Sequence, residues 1–179
     1  MGINTQAVHL RDTTIDDLRA LGLAATGQTI TGDDALSGGQ VSALQLGPDV
    51  LLLDSYQVVA QDIHTSGLAV SSRVVEVLFA STSDVYSLAV GERAADGSPT
   101  TIRHLVRSVD DIPVDEGDPI PQEAEMTRLD EDTCLRLFHS LTGVELLSDK
   151  ILWATFQVLD ELPRDEPAKK GFWGRLFGS

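Results

Sequence analysis

Between Val74 and Arg107 three runs of β-branched and apolar residues follow one another with only short polar breaks. Val74-Val75-Glu76-Val77-Leu78-Phe79-Ala80 is the first, Val85-Tyr86-Ser87-Leu88-Ala89-Val90 the second and Thr101-Ile102-Arg103-His104-Leu105-Val106-Arg107 the third. Ser81-Thr82-Ser83-Asp84 and Asp96-Gly97-Ser98-Pro99 supply the turn-forming chemistry between them. The pattern predicts an antiparallel meander. A meander must bury at least one face, so the rest of the chain has to extend or cover it. The fold class that follows is α+β: a mainly antiparallel β-sheet covered by two or three helices. With 179 residues the chain suits one such domain, and a second would be cramped.

On the N-terminal side, Gln6 to Leu10 reads as a short strand. Thr13 and Thr14, each with an aspartate three residues on, form a capping-box-like start for a two-turn helix over Ile15 to Leu21, with Gly22 as its stop. Gly27 to Gly39, rich in Gly, Thr and Asp, reads as loop. Val41 to Leu46 and Val50 to Asp54 flank Gly47-Pro48-Asp49 and predict a hairpin. Tyr56 to Ala60 either prolongs its second strand or forms another, and Gln61 to Arg73 has no clear period. On the C-terminal side, Asp110 to Glu125 carries seven acidic residues with Pro113, Pro119 and Pro121, the composition of an extended, ordered connector without helix, its carboxylates forming a solvated edge. Asp130 then caps a helix through Leu141 that Gly143 ends, with Cys134, Leu137, Phe138 and Leu141 on its apolar face. Ile151 to Leu159 alternates as a closing strand, and a helix beginning near Val144 is the competing reading.

Net charge is −15. Phosphate backbones are held by clustered Lys and Arg, so the balance argues against a nucleic-acid partner and suits a basic protein or simple solubility. One cysteine allows no internal disulfide, no apolar run is long enough to span a bilayer, and the N-terminus lacks a secretory pattern. The expected location is therefore the cytoplasm, with peripheral contact to the inner membrane face as an addition considered below.

Several short motifs occur in a fixed order. They are the opening Met1-Gly2-Ile3-Asn4-Thr5, the strand entry Ser81-Thr82-Ser83-Asp84-Val85-Tyr86, the step Arg107-Ser108, and the loop Val114-Asp115-Glu116-Gly117-Asp118-Pro119-Ile120-Pro121. Over residues 1 to 125 the chain thereby resembles an actinobacterial family known only as a domain of unknown function. It departs from the family's pattern at Asn4, where lysine is common, and its C-terminal end is its own. The resemblance implies a shared fold, and no activity or catalytic residue.

The chemistry-bearing motifs mostly fail on their own terms. Leu36-Ser37-Gly38-Gly39-Gln40 followed by Pro48 to Asp54 imitates the signature and Walker-B elements of ABC ATPases. The phosphate-cradling loop those elements serve needs a lysine, and no lysine precedes Lys150. The acidic connector lacks the register of a Ca²⁺ loop. His9, His64, His104 and His139 form no paired motif, and Cys134 has no adjacent base. No catalytic residue, no metal site and no cofactor is expected.

The end of the chain reverses the sign of the rest. After a polar linker, residues 163 to 168, come Lys169, Lys170, Phe172, Trp173, Arg175, Leu176 and Phe177 within eleven residues that contain no acid. Large apolar rings beside positive charge at a terminus suit docking on a protein partner, weak contact with an anionic membrane, or folding back on the chain's own domain. The function expected is a non-enzymatic interaction or adaptor protein: an acidic domain over residues 1 to 162 with a docking tail over 169 to 179. Its alternative is an acidic inhibitor or immunity-type protein for a basic target. An enzyme with a site gathered from distant residues, such as His64 or His104 with carboxylates, is the third reading.

Overall fold

The computed structural model of the protein describes residues 3–38, 40–55, 63–108, 114–124 and 126–162. Nine strands form one antiparallel sheet: β1 (Asn4–Leu10), β2 (Leu23–Thr31), β3 (Val41–Leu46), β4 (Asp49–Asp54), β5 (Arg73–Ala80), β6 (Val85–Arg93), β7 (Pro99–Arg107), β8 (Val114–Glu116) and β9 (Thr155–Glu161). Their spatial order is β2-β9-β3-β4-β1-β5-β6-β7-β8, so the first strand of the chain is the middle strand of the sheet. The expected meander is β5 to β7, in register from Arg73 opposite Glu92 to Ala80 opposite Val85, and continued by β8. The expected hairpin is β3–β4, and β1 joins the two units by pairing β4 on one side and β5 on the other.

Strand alternation sends side chains to two faces, and both are apolar. One face carries Ala7, Leu51, Leu53, Val75, Val77, Phe79, Leu88 and Val90. It is covered by α1 (Gly32–Ser37), α3 (Glu131–Thr142) and α4 (Asp149–Leu152), which contribute Ala35, Leu137, Phe138 and Ile151. The other face carries Val8, Leu10, Val41, Leu52 and Val74 under a 3₁₀ helix (Ile15–Leu21), a helical turn α2 (Ile63–Ser66) and a second 3₁₀ turn (Gly67–Ala69). Helices thus outnumber the two or three expected, because the second face is closed by several short turns instead of one long helix.

Local signals act where they were expected. The first helix keeps its bounds, Ile15 to Leu21, but winds as 3₁₀; the Asp17 carboxylate accepts from the Thr14 hydroxyl (2.7 Å) and amide (2.8 Å), which holds its pKa below the ordinary carboxylate range. Asp130 accepts from the Thr133 amide at 3.0 Å, and Gly143 takes the left-handed conformation that closes α3. Cys134 lies fully buried on α3, where burial pushes its thiol up to about 12. Two expectations are corrected. Residues 27 to 39 are not a loop throughout: β2 and α1 occupy most of them, because Thr31 caps α1 by accepting from the Asp34 amide at 3.2 Å. The closing strand starts at Thr155, not Ile151, since α4 takes the preceding residues. Tyr56 to Ala60 lies outside the described residues.

The acidic connector is corrected too, where it is described. Arg103 is 2% exposed, and its guanidinium donates to both Glu123 oxygens (2.7 and 2.8 Å), to the Asp115 carboxylate, and to the carbonyls of Glu116 (3.1 Å) and Gly117 (2.9 Å). Those bonds, the Glu123 pair foremost, raise its basicity despite burial. Gly117 has positive φ, and a side chain there would strike the Ile102 carbonyl. Asp115 and Glu123 are therefore part of a clasp that fastens β8 and a 3₁₀ turn (Pro121–Glu123) over β7. Replacing Arg103 by methionine leaves the Glu123 carboxylate buried without its partner and is expected to cost about 3–5 kcal/mol. Urea unfolding checks this, and the double change Arg103→Met, Glu123→Leu should recover most of the loss. A second expected outcome is that the Cys134 thiol stays unreactive to a thiol reagent in the native protein and reacts fully once urea unfolds it.

Candidate functional site

Every residue of β1 from Thr5 to Leu10 is buried. Three of these side chains are polar: Thr5, whose buried hydroxyl has no hydrogen-bond partner among the described residues, and Gln6 and His9, which project to opposite faces and each start a cluster of ionisable groups.

On the α3 face, His9 is 5% exposed and stands opposite Leu51 and Val75. Its Nε2 lies 3.3 Å from Oδ2 of Asp49, the first residue of β4. Asp49 is set by the β3–β4 turn, and its Oδ1 accepts from the Asp12 amide at 3.0 Å. Gln45 fixes that turn from the other side: its Nε2 lies within 3.0 Å of the carbonyls of Thr13, Gly47 and Asp49, and its Oε1 accepts from the Ile15 amide. The His9–Asp49 pair lies in a cleft of about 630 Å³, whose other wall is the end of α3 and the chain that follows it, with His139, Glu145 and Lys150 at the lining. Burial lowers the basicity of His9, and the Asp49 carboxylate opposes that only in part. The imidazole is thus held neutral near pH 7, hydrogen-bond capable at the wall of a cleft of small-molecule or peptide-side-chain size.

On the opposite face, Gln6 Nε2 donates to Glu76 Oε1 at 2.6 Å. Glu76 Oε2 lies 3.4 Å from His64 Nδ1 on α2. The His64 ring centre is 5.0 Å from that of His104 on β7, and His104 Nδ1 is 3.9 Å from Glu116 Oε2 on β8. The row crosses the sheet because Glu76, Ala89, His104 and Glu116 share one line of cross-strand register. Gly91 lets α2 sit this low on β6: a side chain there would collide with the His64 carbonyl. His64 and His104 are thus gathered with two carboxylates, but the dispersed-site reading asks for a deep pocket around them, and neither lines the His9 cleft or a smaller hollow beside it. Among the described residues, no group of three or more His, Cys, Asp or Glu has geometry fit to hold a metal ion.

The connection from α3 to β9 forms a third feature. Trp153 is 75% exposed and Leu147 46%, the two large apolar side chains left open among the described residues. Leu147 lies within the stretch from Thr142 to Ile151 that walls the His9 cleft and itself lines the smaller hollow of about 320 Å³ with Leu135, Arg136 and His139, whereas Trp153 follows that stretch and lines neither cavity.

The residues expected to bind a partner, Lys169, Lys170, Phe172, Trp173, Arg175, Leu176 and Phe177, lie outside the described residues. The ATPase-like motif contributes only structure: Leu36 and Leu51 to Leu53 belong to the cores, and Asp54 is buried at the end of β4 opposite Gln6 and Val41. Sequence reasoning passed over His9, Asp49 and Trp153. The one available signal for the first was a histidine inside an otherwise apolar strand, Ala7-Val8-His9-Leu10. No helix among the described residues is long and apolar enough to cross a membrane. No protein-family model, curated protein or solved structure matches the chain.

The His9 geometry carries a sign. Its folded-state pKa lies below the ordinary value of 6.5, so the unfolded chain takes up the proton first as pH falls. The stability tied to neutral His9 is complete above about pH 6.5 and drains away below it, towards the lowered folded value. Urea unfolding at pH 7.5 and 5.5 should show a smaller loss on acidification for His9→Gln than for the wild type.

Proposed function

We propose that this protein is a non-enzymatic interaction protein of the adaptor kind, which brings an acidic domain to a protein partner and engages it at two places. The first is the α3–β9 connection with Trp153 and Leu147. The second is the C-terminal segment, where Phe172, Trp173, Leu176 and Phe177 act as anchors and Lys169, Lys170 and Arg175 orient by charge. The observation that carries the reading is Trp153, 75% exposed, with Leu147 the one other large apolar side chain left open among the described residues. An open tryptophan on a connection that also exposes Leu147 and lines a cleft has the composition of an interface anchor. The cleft alongside offers a neutral imidazole, a carboxylate and an ammonium group, able to take a polar side chain of the same partner.

Charge favours one further reading. Residues 1–162 hold 26 acidic against 9 basic side chains, a surplus that suits an inhibitor or immunity-type protein closing over a basic target. The two differ in what breaks binding. For the adaptor reading, Trp153→Ala should weaken partner capture by more than tenfold, and Trp173→Ser with Phe177→Ser should do so independently, while moderate salt changes little. For the inhibitor reading, binding should fall steeply with salt and ignore those substitutions. Affinity capture of the full chain and its variants from its native cell extract, read by mass spectrometry, checks both. Retention of the same partners by all the variants at low and high salt would refute both. Co-sedimentation with anionic vesicles tests membrane contact through the tail.

A further inference from the structure

An open sheet has two edges, and natural proteins blunt them with short strands, charge or proline. The β8 edge follows that rule: three residues long, with Asp115 and Glu116 on it, and fastened by Arg103. The β2 edge breaks it. It is nine residues long, and no charged residue and no proline occurs between Arg19 and Asp33 on a chain that is 23% charged. Its inner side is laddered to β9, Leu23–Ala25 against Leu159–Glu161 and Thr29–Thr31 against Thr155–Gln157. Among the described residues no strand pairs with its outer side. Ala25, Gln28 and Thr29 are exposed along it. Between the two ladder segments the strand bulges at 26–28, with Gly27 in the left-handed region and nothing within reach of it.

We infer that the β2 edge is a self-association site, where β2 of a second copy pairs antiparallel and joins two nine-stranded sheets into one. The occupant follows from charge. A basic partner would be drawn to the acidic surface and would gain nothing from a neutral strip. A second copy is equally negative and is repelled everywhere except across a strip that carries no charge. An antiparallel edge is self-complementary about a two-fold axis, the commonest symmetry of homodimers. An axis through Gly27 sets Leu23–Ala25 of one copy against Thr29–Thr31 of the other and lets the two bulges meet where there is no side chain. The Thr, Ala and Ile residues along the edge accept such a ladder. Short paired segments and mutual repulsion make the dimer weak at low salt, and it strengthens as salt screens the repulsion, opposite to the behaviour of a charge-matched heterologous partner. The Leu162 amide donates to the Gly22 carbonyl at 2.7 Å, so the last described residue lies beside the start of β2. Dimerisation would then double the number of C-terminal segments per particle, with the gain in avidity that two linked sites bring.

Sedimentation velocity on the full chain over a hundredfold concentration range, at low and at high salt, tests the inference. The expected result is a monomer–dimer equilibrium whose dissociation constant falls at least several-fold on adding salt. The variant Ala25→Lys, Thr29→Lys puts lysines opposite one another across the axis at two exposed positions, and is expected to stay monomeric at both salts with an unchanged melting temperature. Hydrogen exchange should show amides of 23–31 protected at high concentration in the wild type and open in the variant. A wild type that remains monomeric throughout overturns the inference. So does a dimer that the two lysines leave intact, one that weakens with salt, or concentration-dependent protection confined to residues outside 23–31.

Discussion

The fold turns on the burial of β1. This strand is bonded on both edges, to β4 and β5, and covered on both faces, so nothing on it from Thr5 to Leu10 reaches water freely. Apolar residues meet that condition by packing, and Ala7, Val8 and Leu10 anchor both cores. Polar residues meet it by finding partners inside, as Gln6 and His9 do, while the Thr5 hydroxyl is buried without one among the described residues. Gln6 finds Glu76 and through it the histidine row; His9 finds Asp49 and the cleft. The two polar clusters are thus two answers to one constraint, one on each face of the central strand.

Electrostatics serves opposite ends inside and outside. Inside, the scarce arginine charge is placed against carboxylates: Arg103 gathers Glu123 and Asp115, while the His64 imidazole stands 3.4 Å from Glu76. The Arg103 clasp lets an acidic, proline-broken segment dock as β8 and a 3₁₀ turn, which a sheet edge of apolar residues could not do without inviting other chains. Outside, the acidic surplus is left unbalanced. That surplus keeps copies apart, which makes a neutral strip at β2 and an open tryptophan just before β9 stand out as places where contact is permitted.

The glycines that matter act by absence of a side chain. Gly91 lets the α2 backbone rest on β6 and so brings His64 over the row that holds Glu76 and His104, and Gly117 lets the chain fold back under Arg103. Each looks like an ordinary strand or turn residue in the sequence. Their effect exists only once a second segment approaches.

What the amino-acid order determined by itself is local. Period-two alternation gave the meander and the β3–β4 hairpin, capping residues placed the helices at Ile15 and Glu131, and the apolar face of α3 put Cys134 in the core. The positive, aromatic chemistry of residues 169–179 was likewise legible without coordinates. Tertiary structure alone decided which strand became central, why β2 and α1 replaced a loop, and which ionisable groups meet. Gln6 and Glu76 are 70 residues apart, and His9 reaches Asp49 across the β1–β4 pairing. The physical reason is register. Alternation says which residues share a face of a strand, but their neighbours across the sheet are set by the pairing of distant segments, and that pairing is chosen by the burial of the whole.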